Sequence, residues 1–356
     1  MYNKCRNVFA ALLLTVLFSG NIFGQHGVQN LVFEGAGIRG IAYAGAITEL
    51  EHRDMLAGVK RVGGTSAGAI TAMAIAIGYS ASELATVINS TSYKKFNDGR
   101  FLVFGGMNRL NRYYGWYRGR QVERWLGELM QYKTGDPDIT FEELKQRGYR
   151  DLYVTGTSIT QQRSIVFSHE THPRMRVIDA VRISLSIPLY FEAVFITPEG
   201  QVVRHPRSKE GLDVMIDGGI IANFPIRMFD SSRYMGDPGS NSFRVNSSTI
   251  GFRIDREEQI RNDDSAGNRL AGMATGNFPQ YLQAFYNLIM ESLNRQKLTP
   301  EDWQRSVSIS DGNLGPRIRK LRKDEIDLLF RNGQEATRAY LSERSPKADL
   351  QTGPVG

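Results

Sequence analysis

Apolar residues from Asn30 to Gly35 (NLVFEG) form a short run closed by glycine, and from Ile38 to Arg53 they recur at helical spacing through Ile41, Ala42, Ala46, Ile47 and Leu50. The pattern predicts a strand, a tight loop and a helix. It then repeats: a short apolar piece at Val59 to Gly63, a turn at Gly64 to Gly68, and an almost wholly apolar helix, Ala69 to Ile77. A helix apolar all round is a buried one. Two such units in succession predict an α/β fold with a mainly parallel central sheet covered by helices and its active loops at the carboxyl ends of the strands.

Further strands are expected at Leu152 to Thr157, Ser164 to Ser168, Val214 to Asp217 and Thr249 to Ile254. Further helices are expected at Gln121 to Gln131, Arg176 to Leu185, Phe285 to Leu293 and Asp324 to Leu341. Asn97 to Arg120 and Asp230 to Ser248 are polar or glycine-rich and read as irregular, and Ser345 to Gly356 as a flexible tail.

Composition places the chain among folded globular proteins: 356 residues, 41% hydrophobic and 23% charged. The first residues are set apart, because Lys4 and Arg6 precede an apolar run, Val8 to Phe18, followed by small and polar residues. This is the pattern of a cleaved export signal over residues 1–24, which leaves one domain over 25–344. The run is well short of the ~20 residues that span a bilayer core, so no transmembrane anchor is expected. A periplasmic, outer-membrane-associated or secreted location follows as an expectation.

Losing Lys4 and Arg6 lowers the formal charge from +7 to 7 − 2 = +5, a mild excess that argues against nucleic acid as partner. Cys5 is the sole cysteine and lies before the apolar run, so the remaining chain has no disulfide and no thiolate chemistry.

Gly64, Thr65, Ser66, Ala67 and Gly68 spell G-x-S-x-G, in which small neighbours let the chain turn sharply from strand to helix and push a hydroxyl outwards. Ser66 is then a candidate nucleophile, although a serine that merely caps a buried helix would look similar. A serine needs a base. The histidines are His26, His52, His169, His172 and His205, and none lies late in the chain, where a Ser-acid-His order would put it. Asp179 with His205 is a weak alternative, since His205 sits in a polar, hairpin-like stretch. Asp217 is better placed, because the strand Val214 to Ile216 delivers it into a sharp turn at Gly218 and Gly219.

The loop Gly35, Ala36, Gly37, Ile38, Arg39, Gly40 fits G-x-G-x-x-G, which dinucleotide-binding folds place after their first strand. That use requires a second strand ending in an acid about 20 residues on; here the second strand leads to Ser66, and Glu51 and Asp54 fall at the polar end of the first helix. A nucleotide-dependent oxidoreductase is therefore the lesser alternative.

Together GAGIRG, GTSAG and DGG resemble the three signatures of the patatin-like phospholipase family. DAVRISLSIPLYFE at Asp179 to Glu192, and Asn223 and Pro225 after the DGG turn, are similar to the family as well, and the likeness covers about residues 29–255. The resemblance implies a three-layer α/β sandwich and a lipid acyl hydrolase of phospholipase A or lysophospholipase type. It further implies Ser66 as nucleophile, Asp217 as proton acceptor in a Ser-Asp dyad, an acyl-enzyme intermediate, a lipid ester substrate met at a membrane or micelle surface, and neither cofactor nor metal.

Backbone N–H groups of a glycine loop that opens a helix are placed to stabilise the oxyanion of acyl transfer, a role assigned to Ala36 and Gly37, with Arg39 stabilising nearby charge or orienting the loop. The family has a third glycine where Ala36 stands, and a Cβ there would be strained if that position required positive φ. A catalytically silent lipid-binding module on the same fold is the third possibility.

Two stretches stay open. From Phe101 to Trp125 arginines alternate with Tyr113, Tyr114, Trp116 and Tyr117, which suits either a lipid headgroup interface or a helix start packed on the core. Asp255, Glu257, Glu258, Asp263 and Asp264 read as a solvated acidic surface.

Overall fold

The computed structural model describes residues 27–344 except 92, 100–103, 265–269, 278, 279, 282, 283, 286, 289, 290, 292, 293, 295–297 and 315–320. The expected export signal and tail, most of the helix expected at Phe285 to Leu293, and Phe101 to Val103 lie outside the described residues.

An eight-stranded sheet forms the centre. Its strands are β1 (Asn30–Phe33), β2 (Arg61–Gly64), β4 (Asp151–Ser158), β5 (Arg163–Phe167), β7 (Val194–Ile196), β8 (Asp213–Asp217), β9 (Thr249–Asp255) and β10 (Ser306–Ser310), while β3 (Gly115–Tyr117) and β6 (Leu189–Phe191) make a separate ribbon. The order is β10-β9-β1-β2-β4-β8-β7, with β5 also on β4. From β10 to β4 all neighbours run parallel, whereas β5, β8 and β7 join antiparallel. The mainly parallel α/β sandwich expected from the sequence is present, with an antiparallel edge that the sequence reading did not contain.

All four residues of β1 are buried, as a strand covered on both faces requires. On one face Phe33 stacks on Phe252 at 5.1 Å and meets Tyr43 edge-on, within the main core beneath the helices Ala42–His52, Ala67–Ala76, Val177–Ser184 and Lys323–Arg344. On the other, Val32 packs with Tyr153, Phe229 and Tyr234. Helices Ala42–His52 and Lys323–Arg344 cross in close contact because Gly45 and Gly333 face each other's partner backbone: a Cβ at either would collide with the carbonyl of Phe330 or Ala42.

The stretch Asn97 to Arg120, expected to be irregular, contains the helix Phe104–Tyr113 and strand β3. Arg109 explains part of this: its guanidinium is buried and donates to the Trp116 carbonyl at 2.8 Å, tying the helix to the strand behind it.

Candidate active site

Ser66 occupies the turn between β2 and the helix Ala67–Ala76, at φ 52°, ψ −121°, a conformation that L residues avoid. The turn fits only because its neighbours are small. A Cβ on Gly64 would strike the Gly68 carbonyl, and one on Gly68 would strike the carbonyls of Phe33 and Glu34. Thr65 anchors the turn, its hydroxyl 2.6 Å from the Thr155 hydroxyl and donating to the Ala222 carbonyl at 2.7 Å. Ala67 is buried, and the N–H of Ser66 donates to the Ser184 hydroxyl at 2.8 Å.

Asp217 ends β8. Its N–H donates to the Ser186 carbonyl at 2.9 Å, and its carboxylate accepts the Gly219 N–H at 2.7 Å. Gly218 sits against the Thr155 backbone, where a Cβ would collide. The register explains how acid and hydroxyl meet. Gly64 pairs with Val154, and Asp217 pairs with Gly156, two residues further along β4; Ser66 is likewise two residues beyond Gly64. Both therefore stand at the same level at one end of the sheet. Burial raises the Asp217 pKa from 3.8 to about 7, outweighing the Gly219 N–H bond and the nearby Ser66 side chain, which both lower it.

The glycine loop lies against this turn. Gly35 is in contact with Ser66: a Cβ there would be 3.2 Å from Ser66 Cβ and would collide with the Asn223 amide. Ala36 adopts φ −129°, which an L residue accepts, and the positive φ falls on Gly37 at 56°. The middle alanine therefore carries no strain. A 3-10 helix, Gly37–Ile41, follows, so the opening N–H groups have no acceptor within it. Gly35 is not among the free donors, because its N–H reaches the Asn223 carbonyl at 3.0 Å. Arg39 donates from Nε to the Ala36 carbonyl at 3.1 Å and from Nη1 to the buried Asp311 at 3.2 Å, so it orients the loop. Ile38 and Gly40 are buried, Gly40 against Ala67.

Sequence reasoning assigned no role to several supporting residues. Asn223 donates its amide to the carbonyl of Gly35 (3.1 Å) and to Glu34 (3.3 Å), clamping the loop to the segment after the acid turn. Asn294 bridges that segment, accepting from the Asn223 N–H at 2.7 Å and donating to the Gly219 carbonyl at 3.3 Å. Glu34 is itself buried and accepts the Ile254 N–H at 3.1 Å. Nearby, Arg253 is fully buried, paired with Asp255 at 2.7 Å and lying over the Trp303 ring at 4.8 Å. Asp255 is thus part of a buried ion pair, not of a solvated surface, while Glu257 and Glu258 are exposed as expected. An alternation of arginine and aspartate along an otherwise apolar strand was the available signal.

His205 does not join Asp179. Its Nε2 lies 3.0 Å from Glu192 and its ring stacks on Tyr113 at 4.4 Å, while Asp179 is held by Arg176 at 2.6 and 2.8 Å.

The family model of patatin-like phospholipase matches residues 31–230. The chain is 34% identical over 212 residues to the uncharacterized protein YqhO of Bacillus subtilis, across 57% of this chain and 67% of that protein. It is 25% identical over 199 residues to the probable lipid hydrolase 463L of Invertebrate iridescent virus 6, across 56% of this chain and 62% of that protein. The alignments thus span about two thirds of these relatives' lengths. Among solved structures, VipD from Legionella pneumophila is similar in fold, with a TM-score of 0.54 at 15% identity, covering 89% of this chain and 67% of that one.

Proposed function

The chain belongs to the patatin-like phospholipase family, and on that premise we propose that it hydrolyses carboxylic esters of lipids as a phospholipase A or lysophospholipase, through Ser66 and Asp217. The observation that carries this reading is the convergence of the Ser66 side chain and the Asp217 carboxyl, close enough for the serine to lower the acid's pKa, beside a loop whose opening N–H groups have no acceptor within their own helix.

In the reading, Ser66 Oγ attacks the ester carbonyl carbon while its proton passes to the Asp217 carboxylate. The carbonyl oxygen becomes an oxyanion, received by the N–H groups of Ala36 and Gly37. With the Ser66 N–H engaged by Ser184 and that of Gly35 by Asn223, the loop's next two donors are the ones left to serve. The intermediate collapses as the bond to the alkoxide breaks, and Asp217 returns its proton to the leaving oxygen. Water, deprotonated by Asp217, then attacks the acyl-Ser66 ester, the fatty acid departs and the serine regains its proton. A pKa near 7 makes Asp217 a far stronger base than an ordinary carboxylate.

The dinucleotide alternative has less support: the Glu51 carboxylate caps another helix by accepting the Ala81 N–H at 2.9 Å, and Asp54 sits in a left-handed turn after the first helix. The remaining alternative is a catalytically silent module. A serine-directed fluorophosphonate separates the two: covalent labelling of Ser66 that disappears in Ser66→Ala supports the enzyme, and an inert Ser66 in folded protein contradicts it. Export after cleavage near Gly24 is proposed as part of the same reading.

A further inference from the structure

Two bulky residues hold a left-handed backbone, Tyr114 at φ 65° and Leu189 at φ 67°. They are neighbours, because β3 and β6 pair in parallel with Gly115 opposite Leu189. For side chains of this size such a conformation is an outlier, and outliers of this kind concentrate where function over-determines the backbone. Here the strained pair points outwards: Leu189 is 68% exposed and Tyr114 41%. Met107, 58% exposed, precedes Tyr114 by two helical turns, and the Tyr114 N–H still donates to the Leu110 carbonyl at 3.1 Å, so Met107 and Tyr114 share one face.

One cation sits on these apolar tips, and two more are close to it or to Tyr114 along the chain. Lys209 stands 4.1 Å above the Tyr114 ring and donates to its hydroxyl at 2.9 Å. Arg112 and Arg207 are exposed, and neither they nor Lys209 pair with a carboxylate among the described residues. The patch is also close to the candidate active site. Leu189 follows Ser186 by three residues, and the Ser186 carbonyl accepts the Asp217 N–H, so the chain keeps Leu189 within about 11 Å of it.

Three apolar side chains are too few for a stable protein interface, which buries over roughly 1,000 Å². A tyrosine, two aliphatic tips and unpaired cations are what a headgroup layer receives: the tips enter the acyl boundary and the cations meet anionic phosphates. We propose that Met107, Tyr114 and Leu189, with Arg112, Arg207 and Lys209, dock the protein on an anionic lipid surface beside its candidate active site. The proposal rests on the lipid-hydrolase reading and names where that enzyme meets its substrate's interface.

The test is co-sedimentation of the full chain, carrying Ser66→Ala so that the vesicles survive, with phosphatidylcholine vesicles with and without phosphatidylglycerol. Binding is expected to require phosphatidylglycerol, to fall as salt rises, and to weaken about tenfold in Leu189→Gly and in Lys209→Glu. Glycine accepts the left-handed backbone, so Leu189→Gly is expected to melt no lower than its parent, and in the Ser66 background neither variant changes hydrolysis of a soluble short-chain ester. Variants that bind like their parent overturn the proposal, as does a Leu189→Gly defect traced to loss of a dimer in sedimentation velocity. A protein that hydrolyses the soluble ester but ignores both vesicles overturns the docking surface alone. Failure to hydrolyse any ester instead overturns the reading beneath it.

Discussion

Ser66 and Asp217 converge closely enough for the serine side chain to lower the acid's pKa, although the strands that deliver them, β2 and β8, are separated by β4. Two strand spacings put the parent backbones about 10 Å apart, so the contact depends on both residues standing at strand ends, at the same level, where the chain is free to turn inwards. The antiparallel direction of β8 makes this possible, because it brings the acid up to Gly156 from the far side of β4.

The burial that raises Asp217 to about 7 has a thermodynamic signature. An acid whose folded pKa exceeds its unfolded value contributes stability that is fully present below the unfolded pKa and lost as pH rises through the folded one. Between 3.8 and about 7 this amounts to roughly 4 kcal/mol. Asp217→Asn is therefore expected to abolish hydrolysis yet melt several degrees above wild type at pH 8, with the difference shrinking as pH falls towards 4. Calorimetric melting across that range checks it.

The same shift bears on the rate profile. A proton acceptor must be ionised, so if Asp217 holds the proposed role, kcat/KM for a soluble ester is expected to fall about tenfold per pH unit below an apparent pKa of about 7 and to level off above it. A profile flat from pH 5 to 8 contradicts the assignment.

Ser66 holds φ 52°. Ser66→Gly relieves that strain and Ser66→Ala does not, so the glycine variant is expected to be more stable than the alanine variant by about 1 kcal/mol, both being inactive. Urea unfolding of the two side by side reads the difference.

In the glycine loop, Ala36→Gly is expected to leave activity within about twofold, since φ −129° needs no glycine. Asn223→Ala removes both amide bonds that hold Glu34 and Gly35, and kcat is expected to fall by roughly 10- to 100-fold with a smaller change in KM. Steady-state kinetics on one soluble ester separates these outcomes.

Much of this was legible in the sequence because it is local. The two strand–helix units, the turn at Ser66 and the Asp217 turn are written in consecutive residues, and the helices expected at Gln121 and Asp324 begin within a residue of those observed. What was missed is non-local or too short to carry a period. Strands β3, β6 and β7 have three residues each, so no alternation marks them. Ser184, Asn223 and Asn294 act through contacts with distant segments that no spacing announces. Asp255 appeared solvated because its neighbours Glu257 and Glu258 are; its pairing with the buried Arg253 on the same strand decides otherwise.

The central claim is tested most directly by the release of fatty acid from phospholipid and lysophospholipid by purified protein, wild type beside Ser66→Ala and Asp217→Asn, each shown to be folded by its melting transition. The expected result is acyl release by wild type and at least a thousandfold loss, order of magnitude, in both variants. Folded Ser66→Ala or Asp217→Asn protein that releases fatty acid at the wild-type rate contradicts it.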